Sequence, residues 1–398
     1  MWPFRKKVEE RSYDPSWRAL SGLSTATGTL VNPRLAENLS VVLASVNAIS
    51  TAISSLPAYV YRRTSKGREI DTGHPLQDLI YQGPNQWQTW PDFLEFMMSQ
   101  VLLRGNALAE ILSPGRGMLD GLKPIPWEYV SVQLLPSGRL VYDVAEINSI
   151  YGGSGRPRRL LDTEVAHLRD RTDDGLVGKS RLSRAAAVID AGYSLQEFSS
   201  NLYRNGVHPS GALEADGKLS PEALKRLAEN FRDAFSGTQN AAKALVLDQG
   251  LKWKSVSISP EDAELLASRR FTGEELARIY QVPPPIIGDL THGTFTNSET
   301  AGRWFAQFTV GPWVRKIEAE FARSIFTGSE RATHELELDL SGFMRADPET
   351  RWKSHEVAVR NRILTPNEIR ETEGWNPRPG GDEFETAAAP ASEAPNIG

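Results

Sequence analysis

The chain contains no cysteine among its 398 residues. This excludes disulfides, thiolate nucleophiles and cysteine-ligated metal centres, and it is typical of a protein made in a reducing compartment. Long hydrophobic runs are also scarce. The best transmembrane candidate, residues 39–56, is interrupted by Asn47 and several serines and ends at Pro57. We interpret it as a buried helix with small residues for close packing, and we expect no membrane partner and no signal peptide.

An excess of positive charge is missing as well. The chain has 45 Lys and Arg against 50 Asp and Glu, which gives a net charge of −5. A protein that binds DNA tightly needs a basic field at its surface. Contact with nucleic acid is therefore expected to be loose. The hydrophobic content of 40% supports packed cores, and the length suits two or three ordinary domains.

Residue patterns typical of enzymes are missing too. The six histidines are scattered without metal-ligand spacing, the carboxylates show no spacing that picks out a catalytic pair, and the serines lack a nucleophile-elbow context. We therefore expect no catalytic residue, no cofactor and no metal site.

The segment Asp174–Ser180 ends like a phosphate-binding loop that precedes a helix. A P-loop has four residues between its glycines so that successive amides surround a phosphate. Gly175 and Gly178 are separated by two residues, and Asp173 stands where the loop needs glycine. We interpret the segment as a turn followed by a helix cap at Ser180. A nucleotide-driven enzyme remains a rival hypothesis that an ATP-binding assay separates.

Local signals place several helices and strands. Thr89 with Pro91, and Thr365 with Glu368, have the spacing of helix N-caps. Residues 56–63 and 335–340 have the apolar and alternating patterns of strands. Ser180 is predicted to cap one long helix that ends near Gly206.

Residues 259–326 carry the strongest pattern. Ser259 and Pro260 open a helix, and three consecutive prolines from Pro283 end it because proline has no amide hydrogen to donate. An apolar, glycine-containing loop follows. The next helix has an apolar stripe that Gly311 and Pro312 interrupt, so we predict a kink there. The stripe consists of Trp304, Phe305, Phe308, Trp313, Ile317, Phe321 and Ile325.

This order of motifs resembles the portal proteins of tailed bacteriophages, specifically the portal family of long-tailed phages and related gene transfer agents. The resemblance covers most of the chain. It rests on S-P-E-D at 259–262, E-E-L-A-R-I-Y-Q-V-P-P at 274–284, I-I-G-D-L at 286–290, T-H-G-T-F-T-N-S-E at 291–299 and G-P-W-V-R-K-I-E at 311–318. The family tends to carry an aromatic residue where Leu108 stands and often proline where Arg181 stands, so the chain departs from the pattern at these two positions.

The resemblance implies an α+β portal fold with a mixed α/β wing, two long stem helices, a small α/β clip insertion, a kinked long helix and a helical crown. The expected segments are an N-terminal arm (1–30), the wing (31–180), the first stem helix (181–206), the clip (207–258), the second stem helix (259–282), the tunnel loop (283–297), the kinked helix and wing return (298–345), the crown (346–375) and a disordered tail (376–398).

The resemblance also implies candidate site residues. The expected DNA-channel loop consists of Leu290, Thr291, His292, Gly293, Thr294 and Phe295, and the expected kink lies at Gly311 and Pro312. Lys252, Trp253 and Lys254 are candidate clip contacts, although residues of this kind commonly form a solvated face or intersubunit ion pairs.

The implied function is a ring, dodecameric in the virion, at one capsid vertex, through which double-stranded DNA is packaged and ejected. The implied partners are further copies of the chain, DNA passing non-specifically, the terminase large subunit, the major capsid protein and a head–tail adaptor. Assembly is expected in the bacterial cytoplasm. The rival within the virion is a head–tail adaptor, which would lack two pillar helices around a small insertion.

Overall fold

The computed structural model describes residues 23–24, 30–65, 67–113, 119–145, 157–205, 211–215, 225, 251–255, 272–290, 295–344 and 348–384. The chain divides into two compact units, Met1–Asp339 and Leu340–Gly398. The predicted α+β class is confirmed, because helices are combined with small antiparallel sheets. Within the described residues, no helix is long and apolar enough to cross a membrane.

A layer of helices lies near the start of the first unit: α1 (Pro33–Ala36), α2 (Ser40–Ser54), α3 (Pro75–Gln82) and α4 (Trp90–Arg104). α2 packs against α4. It buries Val42, Val46, Ile49 and Ile53, since residues three and four positions apart share one face of a helix. The interpretation of residues 39–56 as a buried helix is confirmed.

Strands make up much of the remaining first unit. In chain order they are β1 (Leu23–Ser24), β2 (Leu30–Val31), β3 (Ala58–Thr64), β4 (Gly67–Ile70), β5 (Asn106–Leu112), β6 (Gly121–Ile125), β7 (Val130–Leu134), β8 (Leu140–Val144), β9 (Arg158–Leu161), β10 (Val165–Arg169), β11 (Gly211–Ala215), β12 (Leu251–Ser255) and β13 (His334–Leu338). All the pairings are antiparallel.

Three sheets have three strands each, in the orders β10-β5-β6, β7-β8-β9 and β13-β3-β4. The first two share a buried core, which consists of Leu108, Ile125, Tyr142, Val144, Leu160 and Val165. In the third, Val60 of β3 lies opposite Leu336 of β13, so the strand that completes this sheet comes from near the end of the unit.

The predicted first stem helix differs from the structure at its beginning. Ser180 caps α5 (Arg181–Arg184), and its hydroxyl accepts a hydrogen bond from the Leu182 amide at 3.1 Å. Ala185 then leaves helical geometry, with φ −110° and ψ 24°, before α6 (Ala186–Asn205) begins. The expected single helix is therefore two helices. At about 1.5 Å per residue, α6 is about 30 Å long.

The predicted clip is described at its two strands. β11 and β12 pair in antiparallel register, with Leu213 opposite Trp253. The second stem helix is described from residue 272 as α7 (272–280). Its proposed start at Ser259 lies outside the described residues.

The long helix after the tunnel loop has three parts: α8 (Phe295–Trp304), a π-helical segment (Phe305–Val310) and α9 (Gly311–Ser324). Two positions of the predicted apolar stripe are exposed, Trp304 at 61% and Phe308 at 51%. A π-helical turn bonds residues five apart, so one 3.6-residue period does not run through it. The other described positions of the stripe are buried or half-buried. A short helix, α10 (Glu330–Thr333), leads into β13.

The second unit contains α11 (Ser341–Met344), α12 (Pro348–Arg360) and α13 (Pro366–Thr372). Thr365 and Glu368 form the predicted capping box of α13. Residues 376–384 differ from the expectation of a disordered tail. The Asn367 side chain donates to the carbonyl oxygen of Arg378 at 3.0 Å and to the carboxylate of Asp382 at 2.8 Å, which holds this segment against α13.

Candidate functional site

The base of the predicted channel loop begins where α7 ends. Gln281 follows the helix with a positive φ of 60°. Prolines 283–285 prevent further helix, as predicted, and a 3₁₀ turn occupies Pro284–Ile287. Gly288 then adopts a left-handed conformation, with φ 86°, and Leu290 is 62% exposed. The chain therefore leaves the core over a few residues and reaches solvent at Leu290.

The long helix that follows the loop returns to the same place. Thr309, in the π-helical segment, donates its hydroxyl hydrogen to the carbonyl oxygen of Gln281 at 2.5 Å. Thr309 is buried, and so are Val282 and Phe305 on the two sides of the loop. The residue that leads into the loop is thus joined to the long helix that follows the loop.

Arg181, the first residue of α5, also binds the end of α7. Its Nε donates to the Asp170 carboxylate at 2.7 Å, and its Nη1 donates to the carbonyl oxygen of Ile279 at 3.2 Å. The guanidinium carbon lies 5.9 Å from the centroid of the Tyr280 ring and 5.5 Å from that of the Trp313 ring. Arg181 therefore connects the residue that follows β10 with α7 and α9, and its mostly buried charge is bound by protein groups.

Tyr280 completes this base. Its ring is fully buried, and burial raises the pKa of its hydroxyl far above the usual value, so the phenol stays protonated. The loop base consequently presents aromatic and amide surface with compensated charge. Among the described residues of this base, the charge of Arg181 is bound to the Asp170 carboxylate and the Ile279 carbonyl oxygen.

The structure brings two further segments together beside the start of α5. The Gly178 amide donates to Asn106 Oδ1 at 2.7 Å, and Asn106 Nδ2 donates to the Gly178 carbonyl oxygen at 2.7 Å. The Lys179 amide donates to the Arg171 carbonyl oxygen at 3.0 Å, and its ammonium group pairs with Asp173 at 3.2 Å. These donors would have to face a phosphate in a P-loop. Here they bind protein, which supports the turn-and-cap interpretation.

His167 lies beneath this junction in a buried hydrogen-bond network. Arg169 Nε donates to His167 Nδ1 at 3.0 Å, and the Tyr142 hydroxyl lies at the same distance from that atom. Since arginine can act only as a donor, Nδ1 carries no proton, and Nε2 donates to Asn106 Oδ1 at 3.0 Å. Burial, together with the positive charges of Arg169 and Arg323, lowers the pKa of His167 well below its usual range. The imidazole is neutral.

The sequence-predicted site residues form three groups: the channel loop, the clip contacts and the helix kink. Leu290 and Phe295 are the described ends of the channel loop, and Thr291, His292, Gly293 and Thr294 lie outside the described residues. Lys252, Trp253 and Lys254 lie on β12, opposite β11. None of these roles is tested by the structure, so each remains a prediction.

Gly311 and Pro312 begin α9 directly after the π-helical segment. The Gly311 amide donates to the carbonyl oxygen of Ala306, five residues earlier. Pro312 has no amide hydrogen to donate to the carbonyl oxygen of Phe308, four residues earlier. The π-helical segment therefore lies where this α-helical hydrogen bond cannot form. Proline and π-helical turns are both common causes of kinks. Both causes of a kink are therefore present at the predicted position, and the kink angle remains a prediction.

Sequence reasoning did not identify Arg181, Asp170, Gln281 or Thr309 as parts of the loop base. Arg181 was recognisable as a departure from the family pattern, and Gln281 occupies a helix-terminating position that usually carries glycine. The partners are 11 to 98 residues apart along the chain, and no local pattern predicts such contacts.

Comparison with known proteins decides the family. A family model described as phage portal protein matches residues 40–374. The chain belongs to the phage portal family. It is 31% identical over 389 residues to the "Probable portal protein" of Streptomyces phage phiC31, and the match covers 93% of this chain and 81% of that protein. The portal protein of Enterobacteria phage HK97 is 27% identical, with 94% and 88% coverage.

A solved structure gives the same result. A chain in the virion of a native gene transfer agent particle superimposes with a TM-score of 0.60 at 26% identity, and the match covers 87% of this chain and 92% of that one. The expected α+β portal fold is confirmed, and the assignment of its segments to wing, stem, clip and crown remains a prediction.

Proposed function

We propose that this portal protein forms a ring of twelve copies at one vertex of a capsid, and that double-stranded DNA passes through the ring during packaging and ejection. The observation that carries the proposal is the family match over residues 40–374, supported by a structural relative in a virion. The virion is then the site of action, after assembly in the bacterial cytoplasm.

The loop between Leu290 and Phe295 is the proposed DNA contact. Its described base includes Gln281, whose carbonyl oxygen is bonded to Thr309, and Arg181, which is bonded to the carbonyl oxygen of Ile279. The net charge of −5 favours passage without tight phosphate binding. We expect the loops of the ring to touch the duplex and resist its slippage.

The chain itself is not an enzyme in this proposal. ATP hydrolysis belongs to a separate terminase, whose large subunit docks at the clip near Lys252, Trp253 and Lys254. The major capsid protein surrounds the wing, and a head–tail adaptor binds the same end of the ring after packaging. The rival assignment as a head–tail adaptor loses support from the family match.

The first experiment is native mass spectrometry of the purified 44.1 kDa chain with negative-stain images of the same sample. We expect closed rings with a central hole. A persistent monomer or dimer in the presence of capsid protein would contradict the ring.

A second experiment tests the loop. Deleting residues 290–295 is expected to leave rings intact and to reduce the DNA packaged or retained per particle. A matched control replaces the same residues with a glycine–serine segment of equal length, which preserves loop closure. Loss of rings in both variants would contradict the assignment of this loop to DNA contact.

The clip assignment has its own test. Lys252→Ala combined with Lys254→Ala is expected to weaken binding of the terminase large subunit to the ring. Lys353→Ala, on exposed α12, is the control and should leave binding unchanged. Equal binding by all three proteins would contradict docking at β12.

A further inference from the structure

Gln281 has an unfavourable backbone conformation at the base of the loop. Its φ of 60° lies in the left-handed region, where a Cβ atom is disfavoured. The Gln281 amide donates to the Arg278 carbonyl oxygen, and the Val282 amide donates to that of Ala277, both at 3.1 Å. This is the Schellman arrangement that ends helices, in which glycine normally occupies the left-handed position. The Gln281 side chain is exposed, so its own packing does not explain the conformation.

The opposite side of the loop supplies a compensating contact. The Thr309 hydroxyl donates to the carbonyl oxygen of Gln281 at 2.5 Å. Thr309 is 3% exposed, so water does not readily replace this bond. It also lies in the π-helical segment, which is an uncommon geometry often found at functional positions. A strained residue at the start of the loop is thus bonded to an unusual turn after its end.

We propose that Thr309 and Gln281 are a positioning pair, the loop latch, which fixes the residue that leads into the channel loop against the long helix that follows the loop. Strained conformations persist where the surrounding structure holds them, and they concentrate at functional sites. The latch rests on the proposed function in one respect: its purpose is to keep the loop at a set position while DNA passes.

Other contacts at the same place explain why the latch acts on the loop and leaves α7 in place. Arg181 holds the end of α7 through the Ile279 carbonyl oxygen at 3.2 Å. Beyond Gln281, the amides of Ile286, Gly288 and Asp289 bond within the 3₁₀ turn to Pro283, Pro285 and Pro284. α7 and the turn are each held internally or by Arg181. The carbonyl group of Gln281, which lies between them, is bonded to Thr309.

Amide hydrogen exchange of the purified chain tests the latch directly, at the bonded amides within residues 281–289. Thr309→Val keeps the shape of the side chain and removes the donor. We expect exchange at these amides to become about five- to tenfold faster, as loss of one buried hydrogen bond allows. Thr309→Ser keeps the hydroxyl and should exchange like the wild type.

Gln281→Gly supplies the second half of the test. Glycine adopts this φ without strain, so the carbonyl needs less support from Thr309. In the Gln281→Gly background, Thr309→Val is expected to accelerate exchange less than about twofold. Unchanged exchange in Thr309→Val alone would overturn the latch. Equal acceleration in Thr309→Ser would also overturn it, because a methyl contact would then be responsible.

Failure of the latch and failure of the channel function are distinguishable. DNA retained by filled particles should fall with Thr309→Val and recover with Thr309→Ser. Faster exchange with unchanged retention supports the latch and contradicts the role of the loop at DNA. If Thr309→Val does not fold while its Gln281→Gly combination does, the latch is supported. If neither folds, Thr309 acts in core packing and the latch is overturned.

Discussion

The backbones of Gly105 and Gly178 are in such close contact that neither position has room for a side chain. A Cβ atom on Gly105 would lie 2.8 Å from the carbonyl oxygen of Gly178 and 2.6 Å from the amide nitrogen of Ser180. The same approach lets Asn106 bond both the amide and the carbonyl of Gly178. The end of α4 and the cap of α5 are therefore joined without intervening side chains.

Gly178→Ala is expected to destabilise the fold by about 3 kcal/mol or more, because the backbones must separate and the bonds to Asn106 must lengthen. The free energy of unfolding, from urea denaturation monitored by circular dichroism, measures the effect. Gly302→Ala is the control, since nothing lies within 4 Å of a Cβ there and alanine favours the helix. Equal stability of the two variants would contradict the close contact.

His167 makes stability depend on pH. Burial and the charges of Arg169 and Arg323 lower the pKa of His167 in the folded chain, so the unfolded chain binds this proton more readily. The contribution of neutral His167 is present above the unfolded pKa of about 6.5 and is lost as the pH falls below it. Between pH 7.5 and pH 5, we expect a loss of about 2 kcal/mol from this residue.

Comparison with His167→Gln isolates this contribution. Glutamine retains a hydrogen-bond donor and an acceptor and does not titrate. His74, whose pKa burial also lowers, acts in the same direction and remains in the variant. The wild type should therefore lose more stability on acidification than the variant does, as measured by urea midpoints at the two pH values. Parallel pH profiles would show that His167 is not the titrating group.

Removing Arg181 should weaken the loop base. Arg181→Ala leaves the Asp170 carboxylate, which is 8% exposed, without its partner, and we expect a loss of about 3 kcal/mol. Arg278→Ala is the matched control, because its pair with Glu274 is exposed and worth no more than about 0.5 kcal/mol. Thermal unfolding of both variants, with wild type alongside, gives the comparison. A loss for Arg181→Ala as small as that for Arg278→Ala would argue against the charge contacts described at the loop base.

Pro312→Ala restores an amide hydrogen opposite the carbonyl of Phe308. The α-helical bond can then form, and we expect the π-helical segment to shorten, the long helix to straighten and the wing to shift. A cryo-electron microscopy structure of the variant ring would show the change. An unchanged backbone at residues 305–312 would mean that Pro312 is not the cause of the π-helical segment.

Much of the local structure follows from nearby residues. Thr89, Thr365 and the prolines at 283–285 mark helix boundaries because caps and prolines act on adjacent backbone groups. The alternation at residues 335–340 predicts a strand, which is β13. The portal family follows from the order of several motifs, which is more specific than any one of them.

Contacts between distant segments are not predictable in this way. Nothing near Arg181 specifies Asp170, Ile279 and Trp313 as its neighbours, and nothing near Thr309 specifies Gln281. The exposure of Trp304 and Phe308 was missed for a different reason. A helical period assumes regular bonding, and the π-helical segment changes the bonding between these residues and the buried stripe of α9.

The third sheet can be completed only late in synthesis of the chain. β3 pairs with the adjacent β4, but its other edge is covered by β13, and the contact between Arg63 and Glu335 spans 272 residues. At bacterial translation rates, β13 follows β3 out of the ribosome after about 15 to 55 s. During that time β3 has an open edge, which is a template for wrong pairing. A chain that ends before residue 334 lacks β13, so this edge of β3 stays open.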